Sequence, residues 1–400
     1  MNVLIAATSY PRWRGDFASV YLHRLAKSLT HQQINVHVIA PHANGLKREE
    51  YIEGVHVHRF QYMYPANLQT LAYFPGIPER IRTISGKLQL PFFFMAVGHQ
   101  LLKDVKKFDI DVINAHWATP LGFLAVITKP IHKKPVVITL YGAELFPITE
   151  GKMGFLKPFT RYAINGADKV VGISDATCKA GEEISGRRDI EILPDGIDTE
   201  TFNLKVNGSE LKRKYGKFLF SSGRMVQRKG FIYLIRAMPA ILKRFPKIKL
   251  IIGGDGPERN TLEKEVKKMG MRDKVILPGF IPDKLFPMYM KSAEVFILPS
   301  IVDRHGDTEG SATILLEAMG CGTPVVGTKV GGVPYAIKDG VGGYLVRQKN
   351  WKQISEKVIS ILKMRNIRRR LGKSGYMYVK NNFDWVYVAR RYKNLFQTIT

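Results

Sequence analysis

Two carboxylates, Glu309 and Glu317, stand eight positions apart in the stretch Glu-Gly-Ser-Ala-Thr-Ile-Leu-Leu-Glu-Ala-Met-Gly-Cys-Gly-Thr-Pro-Val-Val-Gly-Thr-Lys-Val-Gly-Gly, residues 309–332. Ser311 can cap a helix whose apolar positions Ile314, Leu315, Ala318 and Met319 recur every three or four residues. Gly320 and Gly322 then end it before a strand at 323–327. A helix start offers unpaired N–H groups and a partial positive charge. Gly310, Ser311, Ala312 and Thr313 can therefore hold a phosphate while Glu309, just outside, reaches a neutral hydroxyl-bearing group. Glu317, about two turns into that helix, can take the two hydroxyls of a ribose, as acidic residues do at dinucleotide sites. Taken alone, the pair is explained equally well by an exposed loop glutamate and a solvated helix glutamate.

Two other strings bear on the choice. Gly223-Arg224 and Lys229-Gly230 follow an apolar strand, which places two cations at a strand's carboxyl end, where open α/β sheets bind ligands. Arg224 can fork onto two phosphate oxygens and Lys229 adds a point charge. Gly253-Gly254-Asp255-Gly256-Pro257-Glu258 repeats the pattern after the next strand, and Gly254 would let backbone approach a nucleotide closely. Each string alone also fits a tight turn with no ligand. All three follow strands of one expected sheet, however, so cations for a diphosphate, a helix start for the same phosphates and carboxylates for sugar hydroxyls converge on one crevice. That combination describes a nucleotide-sugar site.

The elements that must position these residues alternate regularly. Strand patterns at 3–7, 36–40, 112–115, 136–140 and 169–173 are separated by helical patterns, with a hairpin or two strands at 51–60. The loop from Ser9 to Phe17 feeds an amphipathic helix at 18–29, and a helical region runs from Pro75 and Pro78 through a basic amphipathic segment to Lys107. A second alternation has strands at 218–222, 249–253, 275–277, 295–298, 324–327 and 343–345. The turn chemistry of Pro194-Asp195-Gly196-Ile197-Asp198 separates the two. The expectation is an α/β protein of two Rossmann-like domains with mainly parallel sheets, residues 1–200 and 201–380. A helix at 381–400, after a break around Asn381-Asn382-Phe383-Asp384-Trp385, would return to the first domain.

Length and composition agree. Four hundred residues with 45% hydrophobic content can fill two cores. No apolar run approaches the roughly 20 residues that span a bilayer. The opening residues lack a basic start and read as a buried strand, which points to a cytoplasmic protein. Only Cys178 and Cys321 are present, and neither has a metal-ligand spacing, so disulfide frameworks and zinc sites have no support. The net charge of +27 divides into +4 for residues 1–200 and +23 for residues 201–400. Such a field draws phosphorylated ligands, anionic lipid or nucleic acid without choosing among them. No nucleic-acid module or aromatic-basic stacking strip stands out, so nucleic acid is not an expected partner. The first βα turn lacks Gly-x-Gly-x-x-Gly, which disfavours a dinucleotide oxidoreductase.

The ordered set Gly223-Arg224, Lys229-Gly230, Gly254-Asp255-Gly256-Pro257, Pro278-Gly279-Phe280 and Glu309/Glu317 resembles the retaining glycosyltransferases of family 4, glycosyl transferases group 1, with the GT-B fold. The resemblance covers nearly the whole chain. It implies two Rossmann-like domains facing across a cleft and a nucleotide diphosphate sugar held mainly by the second. Arg224 and Lys229 would bind the diphosphate, Glu317 the ribose, Glu309 the transferred sugar, and backbone near Phe280 and Ile281 the base. Two cations and a helix end would stabilise the leaving diphosphate without a metal. Asp109-Ile110-Asp111 reads as a chance match to the Asp-x-Asp string of metal-dependent transferases.

The acceptor side would come from the first domain: Gly15 and Asp16 after the first strand, His116 at the end of another, and Tyr141. The chain departs from the family at three points. Asp195 stands where asparagine is more usual, a single glycine precedes Asp16 in what is commonly a glycine-rich loop, and Tyr141 replaces a common histidine. The acceptor is expected to be a glycan, a lipid-linked sugar or a small molecule. Residues 91–108 and 152–161 mix apolar side chains with lysines, which suits an anionic membrane surface and equally suits core helices with solvated lysines.

Overall fold

A computed structural model describes residues 1–400 except Phe17, Phe74, Pro75 and Arg82, and except the side chain of Pro78. The expected loop end at Phe17 and helix start at Pro75 lie outside the described residues. The chain divides into two compact units, Met1–Asp195 with Trp385–Thr400, and Gly196–Asp384.

The first unit is built on eight strands: β1 (Asn2–Ala6), β2 (Asn35–Pro41), β3 (Glu49–Ile52), β4 (Val55–Phe60), β5 (Val112–His116), β6 (Val136–Leu140), β7 (Lys169–Gly172) and β8 (Glu191–Ile192). Their spatial order is β3-β4-β2-β1-β5-β6-β7-β8, parallel except that β3 runs antiparallel to β4. Segments such as Val3-Leu4-Ile5-Ala6 and Val136-Val137-Ile138 are apolar without alternation because helices cover both faces of the sheet. Leu4, Ile39, Phe93, Ile113 and Ile138 belong to the core on one face, and Val3, Ile5, Val38, Val112 and Val137 to the core on the other. The helix Trp385–Gln397 buries Val388, Ala389, Tyr392 and Phe396 in this second core, beside Leu22, Leu25 and Leu29 of the helix Val20–Thr30. The returning segment begins at Trp385, after the bend at Phe383 and Asp384, rather than at 381.

The second unit carries six parallel strands: β9 (Phe218–Ser222), β10 (Lys249–Gly253), β11 (Val275–Gly279), β12 (Val295–Leu298), β13 (Val325–Thr328) and β14 (Gly343–Val346). They lie in the order β11-β10-β9-β12-β13-β14. This is the doubly wound arrangement in which the chain moves outward in one direction from β9, then returns to its other side at β12. The loops after β9 and β12 therefore part at a topological switch point, the place where such sheets leave a crevice. Its strands fall within one or two residues of the sequence-based positions. The additional two-residue strand β8 is too short for periodicity to reveal.

Candidate functional site

Glu309 is reached from β12 by a ten-residue loop and is buried. Its Oε1 accepts from Lys229 Nζ at 2.9 Å, Arg228 Nη1 at 3.1 Å and Ser300 Oγ at 2.8 Å. Lys229 and Arg228 come from the turn after β9, and Ser300 from the loop after β12, so the switch point delivers all three donors to one carboxylate. The two loops also share backbone: Ile301 N–H donates to the Arg228 carbonyl at 2.8 Å, and a side chain at Gly230 would overlap the Pro299 carbonyl oxygen. Burial alone would raise the Glu309 carboxyl. Lys229, Arg228 and the hydrogen bonds from Lys229 and Ser300 reverse that and hold it at about 2, ionised throughout the physiological range. Arg228 also meets Asp307 at 3.2 Å, and burial pushes that carboxyl up despite the arginine.

Neighbouring loops lock onto this cluster through main chain. Gly223 N–H donates to the Gly253 carbonyl at 3.0 Å, Met225 N–H to Asp255 at 2.8 Å, and Gly254 N–H to Gly279 at 2.7 Å. Gly254 has φ of 119°, and a Cβ there would strike the Gly223 carbonyl oxygen. Glycine is thus required by the approach of two protein backbones. Arg224 is exposed on the loop that Gly254 braces. Phe280, after β11, is exposed, whereas the Ile281 side chain is buried and would meet any Cβ placed on Gly253.

The helix Thr313–Gly320 begins differently from the sequence expectation. Its N-cap is Ala312, left-handed at φ of 53°, and the cap makes no side-chain hydrogen bond; Ser311 does not cap it. An alanine at positive φ is backbone strain, and the neighbouring chain holds it in place. Gly332 N–H donates to the Glu309 carbonyl at 2.8 Å, and Gly331, at φ of 49°, leaves room for that carbonyl. Because the helix starts at Thr313, Glu317 lies just over one turn in rather than two, half-buried among Leu315, Leu316, Ala318 and Met319, which face the core. Gly310, Ser311 and Thr313 are half-buried beside it.

In the first unit, His116 closes β5 and Tyr141 follows β6. The His116 Nδ1 and Tyr141 hydroxyl are 2.8 Å apart. Burial drives His116 down to about 3 and Tyr141 well above its ordinary value, so both are neutral. His116 Nε2 is buried with no hydrogen-bond partner among the described residues, an atom that a bound hydroxyl would satisfy. Gly15 stands open at φ of 90°. The adjacent Asp16 is committed to its own loop: it accepts from Arg12 Nε at 2.7 Å, Arg12 Nη2 at 3.1 Å and Arg12 N–H at 3.0 Å. Asp109 and Asp111 sit at the amino end of β5, the opposite end from His116, and Asp111 accepts from the Asn2 backbone N–H at 2.7 Å. Sequence reasoning missed Arg228, Ser300 and Glu144. Arg228 adjoins Lys229 in the sequence, so a run of cations after a strand was the available signal. Glu144 accepts from the backbone N–H of Ala118 at 2.9 Å and of Tyr141 at 3.3 Å, tying the loops after β5 and β6 together.

Two family models divide this chain: residues 18–201 match Glycosyltransferase Family 4 and residues 205–377 match Glycosyl transferases group 1. The protein belongs to the group 1, family 4 glycosyltransferases and has the GT-B fold. It is 24% identical to an N-acetyl-alpha-D-glucosaminyl L-malate synthase of Bacillus anthracis, over 78% of this chain and 81% of the relative. It is 28% identical to a GDP-mannose-dependent alpha-(1-6)-phosphatidylinositol monomannoside mannosyltransferase of Mycolicibacterium smegmatis, over 72% and 77%. Among solved structures, sucrose-phosphate synthase from Thermosynechococcus elongatus superposes with a TM-score of 0.80 at 19% identity, over 99% of this chain and 98% of that one. Anabaena HepE, solved in complex with UDP, superposes with a TM-score of 0.73 at 18% identity over the whole of both chains.

Proposed function

We propose that this glycosyltransferase moves a hexosyl group from a nucleotide diphosphate sugar, UDP- or GDP-linked, to a glycan, lipid-linked or small acceptor with retention of configuration. The observation that carries the reading is Glu309, an ionised buried carboxylate clamped by Lys229 and Arg228 at the switch point of a doubly wound sheet. Lys229 and Arg224 receive the diphosphate, with the backbone of residues 310–313 at the helix start. Glu317 takes the ribose hydroxyls, and main chain at Phe280 and Ile281 faces the base. In this scheme Glu309 orients Lys229 through Oε1 and turns Oε2 to a hydroxyl of the transferred sugar.

The C1–O bond to the diphosphate breaks as the acceptor oxygen attacks on the same face, and the departing phosphate oxygen takes the acceptor's proton. Positioning and fixed charge supply the rate, and no metal is needed to balance the leaving group. An inverted product anomer would overturn retention. Relatives that act with GDP-mannose and a neighbour solved with UDP support a nucleotide-sugar donor and leave its base open. Thermal stabilisation against UDP, GDP, ADP and their sugars is the test. One nucleotide should raise Tm and Glu317→Ala should reduce the effect; no shift with any of them in folded protein would count against the donor site. Product analysis with sugar phosphates and inorganic phosphate as acceptors separates the related synthase and phosphorylase chemistries.

A peripheral membrane setting has its own support. Ile84, Leu88, Phe92 and Met95, three or four residues apart on the helix Ile84–Lys107, are all exposed, as are Phe155, Phe159 and Tyr162 beside Lys152, Lys157 and Arg161. No helix among the described residues is long and apolar enough to cross a membrane. Apolar residues flanked by cations suit an anionic interface, and one mannosyltransferase relative is named for a phosphatidylinositol monomannoside. Sedimentation with anionic vesicles should capture the protein, and Leu88→Glu with Met95→Glu should release it; equal recovery with neutral vesicles would oppose the charge-assisted reading.

A further inference from the structure

The sheet of the first unit ends, at its β3-β4-β2 edge, in three histidines. His37 of β2 is the register partner of His56 of β4, and His58, two residues along β4, shares the same face. One ring nitrogen from each lies within 4.8 Å of the others, and His37 Nδ1 is 3.4 Å from His58 Nε2. Two imidazoles bound to one tetrahedral Zn2+ at about 2.0–2.1 Å place their nitrogens about 3.3 Å apart.

The surroundings are unusual for a merely packed cluster. Two polar atoms here, His58 Nδ1 and Asp104 Oδ2, are buried with no hydrogen-bond partners among the described residues, 3.8 Å from each other. The other Asp104 oxygen accepts from Gln100 at 2.8 Å. Glu49 Oε1 lies 3.7 Å from the same His58 Nδ1 and is bound by Lys107 at 2.9 Å. Tyr51 stacks on His56 with ring centres 4.2 Å apart, and Phe108 on His37 at 4.5 Å. The aromatic rings orient the imidazoles but satisfy none of their nitrogens.

We propose that His37, His56 and His58 bind a single borderline divalent metal ion, Zn2+ in the first instance, at the amino ends of β2 and β4. In this arrangement His58 Nε2 ligates while its Nδ1–H is directed to Asp104, the carboxylate–histidine–metal relay that fixes a ligand's tautomer. Three neutral imidazoles favour Zn2+, Ni2+ or Cu2+ over Mg2+ or Ca2+. The site lies at the opposite end of the sheet from His116 and pins β4, the neighbour of the edge strand β3, to β2, a stabilising role rather than a catalytic one.

The test uses the full chain stripped with a chelator and dialysed against Zn2+. One ion per chain should be retained, Tm should rise by about 3–10 °C at a large excess over Kd, and X-ray absorption of the loaded protein should count three imidazole ligands. His56→Phe, which keeps the ring stacked on Tyr51, should abolish retention and the Tm response. Absence of Zn2+ retention by the stripped wild-type chain would overturn the proposal. So would retention unchanged in His56→Phe, or an absorption spectrum dominated by oxygen ligands, which is readable even if a variant fails to fold.

Discussion

At the scale of single residues, Glu309 couples stability to the proposed chemistry. Its carboxyl is held at about 2 in the folded protein against 4.5 ordinarily, so the folded state favours the ionised form. That contribution is fully present above the unfolded value near 4.5 and is lost as pH falls towards 2. Acid titration of Tm should therefore fall more steeply for the wild type than for Glu309→Gln below pH about 4.5; parallel curves would show that the clamp does not survive in solution. The same Glu309→Gln variant should lower kcat by about 100- to 1000-fold in a transfer assay. The amide keeps the shape but cannot neutralise Lys229 and Arg228. Because Arg228 and Ser300 contact Glu309 rather than the proposed donor positions, they act as positioning residues. Arg228→Ala should cost about 1.5–3 kcal/mol of stability, the range for a hydrogen bond to a charged group, measurable by denaturant melts.

At the scale of elements, the site depends on loops that approach each other through bare backbone. Gly254→Ala places a methyl against the Gly223 carbonyl at a φ of 119°. It should lose about 1–3 kcal/mol of stability and weaken nucleotide binding by displacing the Arg224 loop. Gly98→Ala is the matching control, in the interior of the helix Ile84–Lys107 with open space around it. It should gain about 0.5–1 kcal/mol. A calorimetric comparison in which both variants move Tm equally would deny the close-approach argument. Loop chemistry of this kind was legible from the glycine strings, but its purpose was not. The strings suggest room for a nucleotide, whereas the glycine at 254 is already demanded by the close approach of the Gly223 carbonyl in the neighbouring loop. The Ser311 cap failed for a similar reason. Local propensity favours serine at a helix start, yet the Glu309 carbonyl held by Gly332 and the left-handed turn at Ala312 shift the start past it.

For the whole molecule, the last helix completes the core of the first unit. Trp385, Val388, Tyr392, Leu395 and Phe396 are all buried there, and each such side chain is worth about 1.5–3 kcal/mol. Their sum is comparable with the about 5–15 kcal/mol stability of an ordinary domain. A chain ending at Asp384 should therefore lose the cooperative unfolding of the first unit, seen as lost near-ultraviolet dichroism and precipitation. A soluble truncated protein with an unchanged first transition would contradict this. The basic excess of residues 201–400 is a property of the same scale. It should make nucleotide binding weaken with salt, whereas the vesicle contact also draws on the exposed apolar residues of the first unit.

The sequence by itself determined the periodicities and the ordered motifs: apolar strands alternating with amphipathic helices, two successive Rossmann-like units, and Gly223-Arg224, Lys229-Gly230, Gly254 and Glu309 each in a segment that follows a strand. Those signals are local, so they survive in one dimension. Tertiary structure decided which side chains meet. Strand order brought Arg228 and Ser300 onto the Glu309 carboxylate and paired His116 with Tyr141, while the folding of the loop after β1 consumed Asp16 in a bond to Arg12. It also gathered His37, His56 and His58, which no spacing in the sequence marks as a set because one comes from a different strand. The physical reason is that contacts and pKa values depend on burial and on partners far along the chain, and both are defined only once the sheet has ordered its strands.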